Sequence, residues 1–507
     1  MEAPRLNRSL WLEDAAGAYP SLAGEVEADV AVVGAGITGA TAAYLLAEGG
    51  RSVVLLESSR VGYGATGYTT AKLTVGHNLV YRRLVDAYGV ETARGYARSN
   101  AEALERVAAL VAEHGLECDF ERAPNYVYTE REESVADLQR ELEAARAAGV
   151  DAELTTGTDL PYPVAGALRV DGQAQFHPWR YVAGLVRLVA ERGGQVFELT
   201  RATGVRSGDA CVVETARGRV RAGHVVVATQ LPFLDRGLFF ARAHPAKSYA
   251  VAAPVPEEAA PRGMYITSDS PTRSVRSAPA GDGRRVLIVG GEGHKPGAEP
   301  DTDERYARLE RFLAERFGGA RAEYRWSTHD YTPVDDLPYI GRLRRGDERI
   351  LVATGYAKWG MTKGTLAASI LADAILGREN EYAALYDSTR VHLRESAASF
   401  VRENAEVGLR FVGERLRPGP GRDAVERLAP GEGTIVRAGA ARYAVHRDDA
   451  GELHVLSARC THLGCIVGWN PADRAWECPC HGSRFAADGT LVQGPATADL
   501  PRRSLEP

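Results

Sequence analysis

Near its C-terminal end the sequence reads Cys460-Thr461-His462-Leu463-Gly464-Cys465 and then Cys478-Pro479-Cys480-His481-Gly482-Ser483. Reduced to residues that can ligate a metal, this is C-x-H, fifteen residues, then C-x-x-H. Each loop offers one thiolate and one imidazole. A [2Fe–2S] cluster with two cysteines on one iron and two histidines on the other needs that set, here Cys460, His462, Cys478 and His481. Thiolates serve zinc equally well, so a zinc knuckle is the competing reading; the paired spacing favours the cluster. Four of the six cysteines fall between positions 460 and 480, whereas a secreted disulfide framework would spread them. Cys118 and Cys211 lie in helix-end and strand contexts and read as small core residues.

A second chemistry sits at the other end of the chain. The apolar run ADVAVV is followed by Gly34-Ala35-Gly36-Ile37-Thr38-Gly39, the helical stretch ATAAYLLAE, and a second apolar run, Ser52 to Leu56, that stops at Glu57. Strand, glycine turn, helix and strand within about 30 residues make a βαβ unit. Its glycines permit a tight turn and a close backbone approach to a pyrophosphate on the dipole of the helix beginning at Ile37. Glu57 is placed to accept hydrogen bonds from ribose hydroxyls and would repel a 2′-phosphate, which disfavours NADP.

The elements that must position these two sites divide the chain. At roughly 150 residues per domain, 507 residues allow about three domains. Helical patterns at 96–148 flank the strand-like NYVYTE; a helix from 178 precedes the buried-strand candidate HVVVAT; another helix lies near 303–317. The run ILVATGYAKWG leads into a helix from about Thr362 to Leu376. A charged helix at about 391–416 runs into Arg417-Pro418-Gly419-Pro420-Gly421, a linker candidate because it cannot continue the helix. Short strands and turns follow. A net charge of −6 without a Lys/Arg run argues against nucleic acid as a partner. No apolar run approaches the roughly 18 residues of a membrane span and the N-terminus lacks a signal core, so a cytoplasmic location is the default.

Residues 30–380 resemble the D-amino-acid oxidase (glycine/sarcosine oxidase) family of flavoproteins. The likeness rests on DVAVVGAGITG, the loop Gly62-Tyr63-Gly64-Ala65-Thr66-Gly67, DDLPYIG at 335–341 and ATGYAKWGMTKGTLAASILADAILG at 353–377. It implies FAD held by a Rossmann-type α/β domain interleaved with an antiparallel-sheet substrate domain. The flavin segments would be about 28–80, 165–245 and 331–380, with the substrate lobe at about 81–164 and 246–330, all within 1–390. By the same resemblance Thr66, Thr69 and Thr70 would lie along the pyrophosphate and ring edge, and Gly355, Gly360, Met361 and Thr362 by the pyrimidine end. No cysteine lies at 326–341, where some members attach FAD covalently, so the flavin is expected to be noncovalent.

The two cysteine–histidine boxes resemble those of the Rieske family, down to Gly464, Pro479, Gly482 and Ser483, with GPAT at 494–497 similar to the proline loop over the cluster. That implies an all-β domain over 422–507, after a helix and linker at 391–421. It also implies a disulfide between Cys465 and Cys480 and a hydroxyl donated by Ser483 to a cluster sulfur. Phe485 stands where the respiratory members have a tyrosine; one fewer hydrogen bond implies a lower potential than theirs.

Amino-acid-oxidising members of the flavoprotein family carry a carboxylate-binding arginine shortly before the segment matching DDLPYIG. Here that place holds Asp330, which favours a cationic substrate over an α-amino acid, unless the side chain is turned away or paired. Pocket candidates for catalysis are Tyr249, His294, Lys358 and Trp359, with Lys358 foremost because a cation stabilises anionic reduced flavin. No His-x₄-His pair occurs among the twelve histidines, which speaks against a Rieske oxygenase. A dehydrogenase is therefore expected, passing electrons from a small amine or amino-acid-like substrate through FAD and the cluster to an external acceptor. An O₂-using oxidase with an accessory cluster, a non-catalytic redox-responsive protein, and flow from an external donor to the flavin are the alternatives.

Overall fold

The computed structural model describes residues 9–505 apart from 282, 298–300, 417–419, 422 and 440. The first three residues of the linker candidate 417–421 thus lie outside the described residues. The glycine turn sits in an eight-stranded sheet. Strand Gly24–Val33 pairs in parallel with Val53–Leu56 on one side and Gly218–Val227 on the other; Gln195–Phe197 and Ile350–Thr354 extend it in parallel. Val30 to Val33 are buried, as are all of Val53–Leu56 and Ile350–Thr354: residues of helices Ile37–Glu48 and Gly360–Leu376 pack on one face, and Val205, Val213, Leu234 and Phe239 are among those that pack on the other. Helix Ile37–Glu48 and helix Gly360–Leu376 pack together on one face. The second helix starts two residues before its predicted position, with Trp359 at the N-cap, so Thr362 lies in its first turn.

A second eight-stranded sheet runs in the order Tyr324–Pro333, Ala243–Pro256, Arg284–His294, Arg273–Gly281, Met264–Thr267, Asn125–Thr129, Gly166–Val170 and Ala152–Thr155. It departs from the expected antiparallel pattern at one place, where Met264–Thr267 runs parallel to Asn125–Thr129. The two strands come from distant parts of the chain, so no hairpin constrains their direction. Beyond Gly421, two small antiparallel sheets of three and four strands carry the cysteine–histidine loops. Among the described residues no helix is long and apolar enough to cross a membrane.

This C-terminal module is seated on the edge of the second sheet through charges that have left water. Lys247, on strand Ala243–Pro256, binds Asp473 and Glu477, and all three side chains are 0% exposed. Arg484 bonds Asp473 at 2.7 Å, Ser327 donates to Asp473 at 2.6 Å, and Asn470 donates to Glu477 at 3.0 Å. Two cations thus face two anions. Burial alone would push the Glu477 pKa up, but the cations Lys247 and Arg484 hold the carboxyl well below its usual range. Helix Leu393–Leu416 straps the seam: Lys295 pairs with Glu403 and Glu406, while Val407 and Phe411 pack on the module's core.

Lys247→Met would leave two buried carboxylates sharing Arg484. Removing one partner of a buried ion pair costs about 3–5 kcal/mol, to be read as a lower denaturant midpoint; a loss under about 1 kcal/mol would mean that water reaches the seam. Stability should also fall on acidification. Burial pushes the pKa of His329 down to about 4, against an ordinary value of 6.5, so between these pH values the unfolded chain binds a proton that the folded chain refuses. Stability is then complete above pH 6.5 and declines as pH drops towards 4, by roughly 1.4 kcal/mol per pH unit for this one group. Thermal midpoints across that range give the check.

Candidate functional site

The glycine turn is a cradle that side chains would fill. Gly34 has φ +100°, and a Cβ there would stand 2.5 Å from the Ala228 carbonyl oxygen. A Cβ on Gly39 would come within 1.8 Å of the Gly34 carbonyl oxygen, so helix Ile37–Glu48 can approach its strand this closely only with glycine. Glu57 reaches back to accept from the Ala35 N–H at 2.9 Å, and Thr66 Oγ1 accepts from the Ile37 N–H at 3.0 Å. Gly36 faces the same hydroxyl. Helix Gly360–Leu376 meets this turn through Gly364, where a Cβ would be 2.8 Å from both Ile37 and Thr38; Thr38 also shares a 2.9 Å hydrogen bond with Tyr356. Gly355, at φ +81°, turns the chain from strand Ile350–Thr354 towards that helix. The first turns of two helices therefore lie against one another, the first of them bonded through its Ile37 N–H to Thr66, and both present helix-start N–H groups. These residues fit FAD.

The loop after Thr66 is held from two sides. Thr69 gives its carbonyl to Trp11 Nε1 at 2.7 Å, and Thr70 and Ala71 give theirs to the fully buried guanidinium of Arg276. Neither Trp11 nor Arg276 belongs to a motif, so sequence reasoning had no signal for either. His77 was also missed. It is buried, hydrogen-bonded to Tyr96 at 2.6 Å and to Thr362 Oγ1 at 3.2 Å, and stacked on Trp359 at 4.7 Å. Burial, reinforced by Lys363, holds its pKa well below the ordinary value and keeps it neutral.

The four catalytic candidates fall into two groups. Trp359 stacks on His77. On the other side, Tyr249 and His294 share a hydrogen bond of 2.9 Å, and Lys358 Nζ reaches Gly293, the neighbour of His294. His294 Nδ1 bonds the Lys295 carbonyl, so Nδ1 carries the proton and Nε2 accepts from the Tyr249 hydroxyl. Burial lowers the His294 pKa to about 4, and lowers that of Lys358, against which Asp330 acts. Asp330 is not a free anion awaiting a cationic substrate. Its carboxylate accepts the Tyr331 N–H at 2.8 Å and the Lys358 N–H, fixing the turn in which Lys358 has φ +70°. Burial raises its pKa.

The cysteine–histidine loops are two matching turns. Cys460 N–H bonds the Cys465 carbonyl and Gly464 N–H the Cys460 carbonyl; Cys478 N–H bonds Ser483 and Gly482 N–H bonds Cys478 in the same way. The sulfurs of Cys465, Cys478 and Cys480 lie within 4.8 Å of one another, but Cys465 and Cys480 are joined in a disulfide and have no thiolate to give. Cys460 and Cys478 are the free buried thiols of the site, hydrogen-bonded to each other, with Ser483 also bonded to Cys460. The imidazoles of His462 and His481 stand edge to face at 4.9 Å. Both Nδ1 atoms are buried with no hydrogen-bond partner. Two thiols and two unsatisfied imidazole nitrogens fit the donor set of a [2Fe–2S] cluster. Cys118 and Cys211 are buried far from these loops in sequence, Cys211 in the core of the first sheet.

Strand Tyr324–Pro333 touches both sites. Ala357 N–H bonds the Tyr331 carbonyl at 3.0 Å, the Tyr331 hydroxyl donates to the His481 carbonyl at 2.9 Å, and His329 Nδ1 donates to the Gly482 carbonyl at 3.1 Å. Gly482 has φ +77°, and a Cβ there would press on Pro245 at 2.9 Å and the Tyr331 hydroxyl at 3.0 Å.

Known proteins share both parts. Residues 29–374 match the family described as FAD dependent oxidoreductase, and residues 423–503 match the Rieske [2Fe-2S] domain. A putative Rieske 2Fe-2S iron-sulfur protein, YhfW of Bacillus subtilis, is 34% identical over 492 residues, covering 96% of each chain. The gamma-glutamylputrescine oxidoreductase of Escherichia coli is 27% identical over 71% of this chain and 86% of its own. Among solved structures, glycine oxidase from Geobacillus kaustophilus superposes with a TM-score of 0.61 at 21% identity, over 72% of this chain and 99% of its own. Because a single match takes in the glycine turn, Glu57 and nearly all of helix Gly360–Leu376, the chain belongs to the FAD-dependent oxidoreductase family, and a Rieske [2Fe-2S] domain forms its C-terminal part.

Proposed function

We propose that the protein is a dehydrogenase of amine or amino-acid-like compounds that delivers electrons from FAD through the Rieske cluster to an external acceptor. When bound, FAD accepts two electrons from an organic substrate and the cluster carries one at a time. The observation that carries the reading is strand Tyr324–Pro333: Tyr331 takes a hydrogen bond from the 355–359 turn and gives one to His481, so a continuous bonded route joins the two cofactor cradles.

Gly34 to Gly39, Glu57, Thr66, Thr69, Thr70, Gly355, Gly360, Met361 and Thr362 would hold FAD, and Cys460, His462, Cys478 and His481 the cluster. Lys358, Trp359, Tyr249 and His294 would face the substrate. His294 is neutral at pH 7 and accepts from Tyr249, so this pair adds no charge against an amine. Lys358 Nζ is the titratable atom beside it, less basic than a free lysine and so better able to exchange a proton with the substrate nitrogen. An amine substrate is supported by the name of the Escherichia coli relative.

Anaerobic titration with candidate amines and amino acids, followed by absorbance and EPR, tests the reading. Substrate should bleach the flavin and then bring up the signal of the reduced cluster; a cluster that stays oxidised while the flavin is reduced would sink the proposal. Stoichiometric peroxide from a Cys478→Ser protein would favour an oxidase instead. Tyr331→Phe should slow cluster reduction several-fold in stopped flow while leaving flavin reduction by substrate at its original rate. Equal rates for both steps in that variant would show that the hydroxyl is not on the route.

A further inference from the structure

The turn Asp235–Gly237 belongs to the flavoprotein part, between strands Gly218–Val227 and Ala243–Pro256. It is firmly built. Arg236 donates to the Val205 carbonyl at 2.9 Å, Gly237 N–H bonds Leu234, Leu238 N–H bonds the Asp235 carbonyl, and Leu234 and Phe239 are buried on either side. From this turn the Asp235 carboxylate reaches across the seam and accepts from His462 Nε2 at 2.8 Å. Phe240 closes over the same place, its ring edge-on to His462 at 5.8 Å and to His481 at 5.2 Å. The His462 side chain is left 3% exposed, whereas Asp235 is 48% exposed.

We propose that Asp235 is a positioning residue for the cluster. It fixes the ring of His462 through Nε2 and biases the cluster towards its oxidised state. This rests on the reading that His462 ligates iron through Nδ1. An imidazole hydrogen-bonded at its far nitrogen by a carboxylate is a stronger electron donor to its metal, and the nearby anion favours whichever cluster state carries one more positive charge, the oxidised one. Because the carboxylate comes from the other part of the chain, the bias exists only while the Rieske module is seated. The flavoprotein thereby sets the affinity of the cluster for the electron that it would receive.

The test uses the full-length, cofactor-loaded protein. Asp235→Asn keeps the shape and removes the charge; Asp235→Ala removes both. EPR-monitored redox titration at one fixed pH should show the reduced-to-oxidised ratio of the cluster rising about tenfold at a given solution potential in both variants, the scale on which outer-shell partners act. For one electron that is an upward shift of about 59 mV. Flavin absorbance and the integrated cluster signal should not change. A ratio within twofold of the parent in both variants, or a downward shift, overturns the proposal. Loss of the cluster from Asp235→Asn also overturns it, since that would assign Asp235 to cluster assembly. His462→Ala separates the underlying reading: an unaltered Rieske signal there would mean that His462 is not a ligand, whatever the Asp235 variants do.

Discussion

Four ionised side chains stripped of water hold the two parts of this protein in one relation. Lys247 faces Asp473 and Glu477, and Arg484 closes the set. Charges buried in this way are costly singly and tolerable together, because each lost hydration shell is replaced by an opposite charge or a hydrogen bond. Ser327 and Asn470 supply those bonds. Such a set also has direction: the partners meet at one register only, unlike an apolar contact of the same area. That register places strand Tyr324–Pro333 between the cluster loops and the turn that leads to helix Gly360–Leu376.

The flavin side shows the same economy of means. Gly39 and Gly364 let a helix approach a strand and a second helix approach the first, so the first turns of the two helices lie against one another. Trp11 and Arg276 then grip the carbonyls of the loop that follows Thr66. None of these contacts is chemistry. Each limits where the chemistry can happen.

The sequence disclosed residues that work through local spacing and hid those that work across distance. The glycine turn, Glu57 and the two cysteine–histidine boxes are short motifs whose spacing follows from turn geometry, and the structure gathers them as that spacing requires. The disulfide between Cys465 and Cys480 joins two loops and was legible only through resemblance. The residue type of Asp330 left open a substrate-facing anion or a side chain turned away, and its bonds to two backbone N–H groups lie beyond anything its type discloses. Trp11, His77, Asp235 and Lys247 each act on a partner far along the chain, by 58, 285, 227 and 226 residues respectively, and a single sequence does not encode that pairing in any local pattern. The parallel pairing of Met264–Thr267 escaped for the same reason.

Gly482 and Gly297 carry one further meaning. Both bring backbone of one part against the other at distances where a methyl group would collide, with Pro245 at 2.9 Å from a Cβ on Gly482 and the Glu477 carbonyl at 2.8 Å from one on Gly297. A surface matched at that grain is a lock cut for one key. A cluster domain of the same fold taken from another protein would bind its own iron and still not seat here, because it would have to match Lys247 with carboxylates at the places of Asp473 and Glu477. The two parts are joined in one chain by a peptide link, but their fit is written in the seam, where the charges and the close backbone contacts of each surface are matched by the other.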